Sequence, residues 1–419
     1  MTEETKVPGP IALFGLSAEK GRWIYILLGF LIYLCLGSVY SWSVFKKPVE
    51  QFFGVGATQS GLPYMLSLVF YALMVAVMGT CLDKIGPRKA ALVGGVLMGL
   101  GWILAGFSKN IAWLAWCYGV VGGAGVGTAY GVPIALAAKW FPDKKGLALG
   151  LTLSGFGLAT LVGAPFIKHM LDVRGLLGTF FLLGAVFLMV TVLLSLPLEF
   201  PRPGWRPQGW EPARDGSAPA CLNTSAMLKT PAFYGLWLCY LLGTLSGLMA
   251  IGIASPVGQE IIRLSPAAAA LAVSLFAAFN GLGRPLFGWL ADRLSPRYAA
   301  VISFLVILLA SLGMLKAGSG QALLYLACFG AFWLCLGGWL AIAPTATVSF
   351  FGAVDYCRNY GLVFLAYGCG AILGTLLSGK IRDLTGSYTF AFYPTAALAL
   401  AGIVVALFLL KSPAKKKAD

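Results

Sequence analysis

The chain predicts an all-α polytopic membrane protein, twelve transmembrane helices arranged as two pseudo-symmetric six-helix bundles. Three observations lead there. Of its 419 residues, 59% are hydrophobic and only 11% charged, with a mean hydropathy of +0.85, whereas soluble domains carry about 25% charged residues. Apolar runs of spanning length recur along the chain, and the one long polar stretch, Glu199 to Lys229, divides them six and six. Short motifs also return at a half-length offset.

An apolar run of about 18 or more residues crosses the ~30 Å hydrocarbon layer at about 1.5 Å of rise per residue. Such runs fall at 23–45, 59–82, 89–108, 111–138, 145–168, 176–197, 232–255, 268–291, 297–315, 321–350, 360–380 and 388–410. The first follows a segment with Glu3, Glu4 and Glu19 and no compact apolar core ending in a cleavage site, so no signal peptide is expected and span one directs insertion itself. Span four carries Gly119, Gly123, Gly127 and Gly131, small-xxx-small steps that suit close helix packing better than phosphate cradling. No GxxxxGK motif accompanies them, so ATP drive has no support. After span six, PRPGWRPQGWEPARDGSAP has the Pro, Gly and charge content of a linker. The division expected is an N-terminal segment (1–22), a first bundle (23–198), a linker (199–230), a second bundle (231–411) and a tail (412–419).

The two halves repeat each other. Gly79, Asp83, Lys84, Gly86, Pro87 and Arg88 after span two return as Gly288, Asp292, Arg293, Ser295, Pro296 and Arg297 after span eight. Pro133 is echoed by Pro344, Trp140-Phe141 by Phe350-Phe351, and Gly155-Phe156-Gly157 by Gly368-Cys369-Gly370. Parallel six-span repeats about an axis along the membrane normal are the architecture of alternating-access carriers, with substrate held near the midplane between halves. In the repeated loop, Gly lets two helices approach closely, and Asp83, Arg88, Asp292 and Arg297 near helix ends are expected to pair across that face and hold one access state; the plainer alternative is topology signalling alone.

A formal charge of +15 invites a nucleic-acid reading, but the basic residues sit in short inter-helix loops and tails, where they set topology instead. Twenty Lys and Arg fall on the side of the linker and both termini, and nine on the other. Both termini are therefore expected in the cytoplasm. The nine cysteines are scattered without a CxxC pair, which gives neither a disulfide framework nor a metal site, and no cofactor is expected. All fifteen acids lie in loops, tails or span ends, and the single histidine, His169, falls at the end of span five. A membrane enzyme would have little chemistry to work with.

Arg284 is the exception to this segregation. It lies within Leu271–Leu290 (LAVSLFAAFNGLGRPLFGWL), which has no other ionisable group. A guanidinium at that depth costs roughly 2.5 to 3.5 kcal/mol and is expected to face a watery cavity or a bound partner. Its planar fork binds a carboxylate bidentately and stays charged at any working pH. The alternative is an Arg that caps carbonyls left free around Pro285.

The loop after spans two and eight resembles the signature of the major facilitator superfamily, and further stretches narrow the branch. Arg22-Trp23 with LGSVYSWSVF (Leu36–Phe45), DKKGLALGLTLSGFG (Asp143–Gly157), NYGLVFLAYGCGAILG (Asn359–Gly374) and GKIRDLTGSY (Gly379–Tyr388) together resemble the monocarboxylate carriers and the related bacterial oxalate/formate exchangers, across all twelve spans. The resemblance implies a major facilitator fold in the cell inner membrane, a secondary carrier of small monocarboxylates of the lactate or pyruvate kind, proton symport and a monomer. It places the family's span-eight cation on Arg284. Animal carriers have an Asp one turn earlier, where this chain has Asn280, an amide that keeps the i, i+4 geometry and can donate to a carboxylate but cannot ionise. The exchangers have a Lys in span eleven where this chain has Tyr367, and the animal carriers a Lys in span one near Tyr40. One fixed positive charge then favours one carboxylate over two, because a second anionic group would be desolvated without a partner.

Spans one, four, seven and ten line the cavity in this superfamily, which makes Tyr33, Tyr40, Tyr130, Trp333 and Trp339 candidates, with Tyr367 from span eleven. A Tyr or Trp tip can donate to a carboxylate while its ring packs on a methyl group; the alternative is core or interfacial packing. Tyr33 and Tyr40, seven residues apart, are expected on one helix face. Two coupling schemes stay open: symport of a proton with the anion, and anion exchange of the oxalate/formate kind. An anion channel or a transporter-like sensor is the rival from another class, though linker and tails leave little room for a signalling domain.

Overall fold

The computed structural model describes residues 12–202, 204–209, 222–352 and 355–411. Most of the N-terminal segment, the middle of the linker with Arg214, and the tail lie outside the described residues. Eleven helical runs are long and apolar enough to cross a membrane. The longest, Gly146–Ser195, holds spans five and six, because the backbone turns at Gly175 with φ 67° and ψ −177°, a conformation that costs glycine little. The others are span one Ala18–Phe53, two Ala57–Ile85, three Pro87–Ala105, four Ile111–Trp140, seven Pro231–Glu260, eight Pro266–Leu294, nine Pro296–Leu315, ten Ala322–Phe351, eleven Tyr356–Thr385 and twelve Thr389–Phe408. The protein is thus an all-α, multi-pass membrane protein, with one small addition: Ala12–Leu13 pairs antiparallel with Leu16–Ser17.

Local chemistry explains the starts. Pro231 and Pro266 open spans seven and eight, where a missing N–H costs nothing, and Thr230 and Ser265 accept from Phe233 N at 3.3 Å and Ala268 N at 3.2 Å. The repeated loop folds the same way twice. Gly86 (φ 83°, ψ 158°) and Ser295 (φ 97°, ψ 155°) each turn the chain just before the proline that begins the next span.

Span one is longer than its hydropathy suggests and tightens to a 3-10 turn at Gly37–Ser41. Tyr33 before that turn and Tyr40 within it both meet the Phe156 ring edge-on, at 5.8 and 5.2 Å between centroids. In span four, Ala115–Gly122 widens to a π-helical stretch. Its glycines meet span two: a methyl group added at Gly119 would lie 2.7 Å from Leu66 Cβ, and one at Gly127 2.7 Å from Met74 Cβ. Close helix packing is their use here.

Spans one, four, seven and ten are the most enclosed, from 67% of the apolar window for span one to 83% for span seven, against 39% for span twelve. They form the centre, and exposed Val162, Leu309, Leu400 and Phe408 present an apolar periphery suited to lipid. The two bundles meet along two seams, span five against eight and span two against eleven. The echoed Gly-x-Gly motifs make both seams close. Gly155 fits against Phe30 of its own bundle, while a methyl at Gly157 would lie 3.2 Å from Gly281 Cα of the other. Likewise a methyl at Gly370 would lie 2.6 Å from Thr244 Oγ1 of its own bundle, and one at Gly368 2.9 Å from Ala72 Cβ across the seam.

Candidate functional site

Arg284 sits on span eight at the seam with span five and is only 9% exposed. Gly281 and Gly283, just before it in sequence, let span eight press against span five and span ten: a side chain at Gly283 would run into the Leu334 carbonyl. Arg284 Nη1 donates to the Leu153 carbonyl of span five at 2.8 Å. This bond crosses the seam, so the guanidinium does not serve the carbonyls around Pro285. Nε and Nη2, the two donors of one guanidinium edge, are buried without a partner. Among the described residues no carboxylate pairs with Arg284. The geometry presents a bidentate donor edge in a low-dielectric seam, the arrangement that a carboxylate fits.

Asn280 lies one turn earlier and is fully buried. Its Nδ2 donates to the Trp333 carbonyl of span ten at 3.1 Å, and its Oδ1 has no partner. One of its two amide protons is therefore engaged within its own bundle.

An aromatic cluster fills the space beside the guanidinium, which reaches Tyr33, Tyr40, Tyr130 and Tyr240 electrostatically. Tyr33 Oη donates to the Tyr130 carbonyl at 2.6 Å, fixing span one to span four. Tyr40 and Tyr367 share a hydroxyl–hydroxyl bond of 2.8 Å that joins the bundles. Tyr130 packs against Tyr71 at 5.0 Å and Phe156 at 5.5 Å between ring centroids, and Tyr71 reaches Tyr367 at 5.6 Å.

The structure thus gathers Arg284, Asn280, Tyr33, Tyr40, Tyr130 and Tyr367. Trp339 is set apart: its indole packs on Gly243 and Phe304 inside the second bundle, one ring beyond Tyr240. Six residues of helix turn a side chain by about 240°, so Trp333 points the other way, with its ring 6.4 Å from Tyr40 and an unpartnered Nε1. Sequence reasoning missed Tyr71 and Phe156. Phe156 lies 5.9 Å beneath the Arg284 guanidinium; its signal was its place between Gly155 and Gly157 of the echoed motif. Tyr71 had no comparable mark.

The expected gating charges do not meet across a face. Asp83 pairs with Lys139 of its own bundle at 2.6 Å, and among the described residues Arg88, Asp292 and Arg297 make no ion pair. The reason is geometric: spans two and four end side by side, so Lys139 is the nearer cation. The family motifs Arg22 and Asp143 do come together, with Arg22 donating to both Asp143 oxygens at 2.6 and 2.9 Å and to the Trp140 carbonyl at 3.1 Å. The hydrogen bonds from Arg22 hold the Asp143 carboxyl below the usual aspartate range.

Comparison with known proteins agrees with this architecture. The sequence profile of the Major Facilitator Superfamily matches residues 22–349 and 236–419. The chain is 30% identical over 394 residues to the oxalate:formate antiporter of Oxalobacter formigenes, covering 93% of this chain and 91% of that one. It is 27% identical to monocarboxylate transporter 13 of Bos taurus, over 80% of this chain and 78% of that one. Among solved structures, a bacterial homologue of the human lysosomal transporter Spinster, in an inward-facing and unoccupied conformation, superposes with a TM-score of 0.67 at 17% identity, covering 93% of this chain and 95% of that one. With two six-span bundles closing on a buried arginine, and these relatives matched over most of their length, the chain belongs to the major facilitator superfamily, in the group related to the monocarboxylate transporters.

Proposed function

We propose that this protein is a secondary active transporter of small monocarboxylates, of the L-lactate or pyruvate kind, that works by alternating access and couples transport to a proton. The observation that carries this reading is the buried, unpartnered Nε–Nη2 edge of Arg284 at the seam between bundles. A carboxylate seated there supplies both acceptors and neutralises the guanidinium. The ground for one carboxylate rather than two is that Tyr40, near the span-one lysine of the animal carriers, and Tyr367, where the exchangers have a lysine, bring no second cation to the cluster. With no carboxylate beside Arg284 among the described residues, the proton is assigned to the substrate rather than to a deep relay. The protein would act as a monomer in the cell inner membrane, with the linker and both termini in the cytoplasm, following the excess of Lys and Arg on that side.

Anion exchange is the second reading, favoured by the similarity to the oxalate:formate antiporter. Uptake of labelled L-lactate into proteoliposomes, with and without an inward proton gradient, separates the two for wild type and Arg284→Ala. Gradient-driven uptake lost in the variant supports symport at this site. Uptake that ignores the gradient and needs internal anion assigns exchange, and full activity in Arg284→Ala removes the residue from the site.

A further inference from the structure

The face opposite the linker carries a charge network that joins the two bundles. Lys47 of span one pairs with Glu260 of span seven at 3.1 Å, and Arg382 of span eleven donates to the same carboxylate at 2.8 Å. The next residue, Asp383, crosses the seam between spans eleven and two: it accepts the backbone N–H of Ala57 at 2.7 Å and of Thr58 at 2.9 Å. The first N–H groups of a helix have no partner within it and carry partial positive charge, so Asp383 caps span two from the opposite bundle. A methyl at Gly56 would come within 2.9 Å of Asp383 Oδ1, so the cap is closely fitted. Behind these bonds, Lys46 is 2% exposed, with its ammonium 5.2 Å above the Tyr388 ring.

The linker face is built differently. Among the described residues its ion pairs, Arg22 with Glu19 and Asp143 and Lys139 with Asp83, each stay within the first bundle. Among those residues, the ionic ties across the bundles are therefore concentrated at one end. Two rigid bundles that rock about a central site must break these ties to open at that end, while opening at the other end leaves them intact.

We propose that Glu260 and Asp383 form a two-point latch that holds the face opposite the linker closed, and that exposing the site to that side requires both carboxylates to release the first bundle. The latch goes beyond the transport reading and needs no particular substrate. Lys47 is the release point for Glu260, since the Arg382 bond stays within the second bundle. The N-terminus of span two is the release point for Asp383.

A cysteine at Thr375 tests this without any transported ligand. Thr375 is 5% exposed, its Oγ1 has no partner, and a methyl at Gly61 would lie 2.7 Å from its Cγ2, so it reports on the seam beneath the latch. The full-length Thr375→Cys protein in nanodiscs is treated with a polar maleimide, and modification at residue 375 is followed by peptide mass spectrometry. Glu260→Gln and Asp383→Asn should each speed modification about tenfold, and the pair more than either alone. If Glu260→Gln does not accumulate, Lys47→Ala removes the same cross-bundle bond and carries the same expectation. Lys139→Ala, which breaks only the linker-face pair, should leave the rate unchanged. Unchanged rates in the folded latch variants would overturn the proposal, and so would equal acceleration in Lys139→Ala.

Discussion

Tyr40 of span one and Tyr367 of span eleven touch hydroxyl to hydroxyl, 2.8 Å apart and fully buried, and so pin the two bundles together beside Arg284. Removing one hydroxyl strands the other in an apolar seam, whereas removing both strands neither. Tyr40→Phe and Tyr367→Phe are each expected to lower stability by about 1–3 kcal/mol, and the double variant by less than their sum. Thermal unfolding of the four proteins in one detergent closes the cycle. Additive losses would mean that the two phenols do not act as a pair.

The Arg22–Asp143 pair makes a prediction about pH. Hydrogen bonds from Arg22, opposed by burial of the carboxyl, leave Asp143 ionised to lower pH in the folded protein than in the unfolded chain. A depressed carboxylate contributes stability that is fully present above its unfolded value of about 3.9 and is lost as pH falls through the folded value. Wild-type thermal stability should therefore decline below about pH 4 more steeply than that of Asp143→Asn. At neutral pH the variant should be the less stable of the two, because Arg22, 4% exposed, would then face a neutral amide. Parallel profiles would contradict the pairing.

Ser295 holds a backbone conformation that its repeat counterpart Gly86 holds without a side chain. Its hydroxyl makes no cap bond to span nine, so nothing is lost by removing it. Ser295→Gly is expected to raise stability by about 1 kcal/mol, from relief of a strained φ less the greater freedom of glycine in the unfolded chain. Gly86→Ser should cost a similar amount. Both are read as shifts in apparent Tm.

Phe156 supports the guanidinium from below and touches Tyr33, Tyr40 and Tyr130. Phe156→Ala should destabilise the protein by about 3–5 kcal/mol through the cavity it leaves. Phe156→Leu, which keeps most of the volume, should fold well yet raise the KM for L-lactate about tenfold by loosening the aim of Arg284. Unchanged KM in Phe156→Leu would reduce the ring to packing.

How much of this was legible depends on the kind of signal each residue leaves. Arg284 could be read directly, because a lone charge in an apolar run of spanning length is too costly to be incidental. The helices and the repeat were legible for the same reason, since lipid allows few alternatives for the backbone. The resemblance marked Tyr33, Tyr40, Tyr130 and Tyr367, but could not say that Tyr33 would bond a carbonyl while Tyr40 met a partner phenol. Lys47, Glu260 and Asp383 were invisible as a unit: each sits at a span end and reads as a topology charge until the fold brings distant loops together. Asp83 misled because its repeat suggested symmetry, whereas its partner was chosen by the neighbouring end of span four. Trp339 failed on helical phase, a property that depends on where the bundle axis lies.

The most direct test of the carboxylate dock is the stabilisation of purified protein by L-lactate. A ligand that binds only the folded state raises stability by RT ln(1 + [L]/Kd), about 2.7 kcal/mol at a hundredfold excess over Kd. Wild type should show a concentration-dependent rise in Tm with lactate, Arg284→Lys a weaker one for loss of the bidentate edge, and Arg284→Ala none. An undiminished rise in folded Arg284→Ala would place the anion elsewhere.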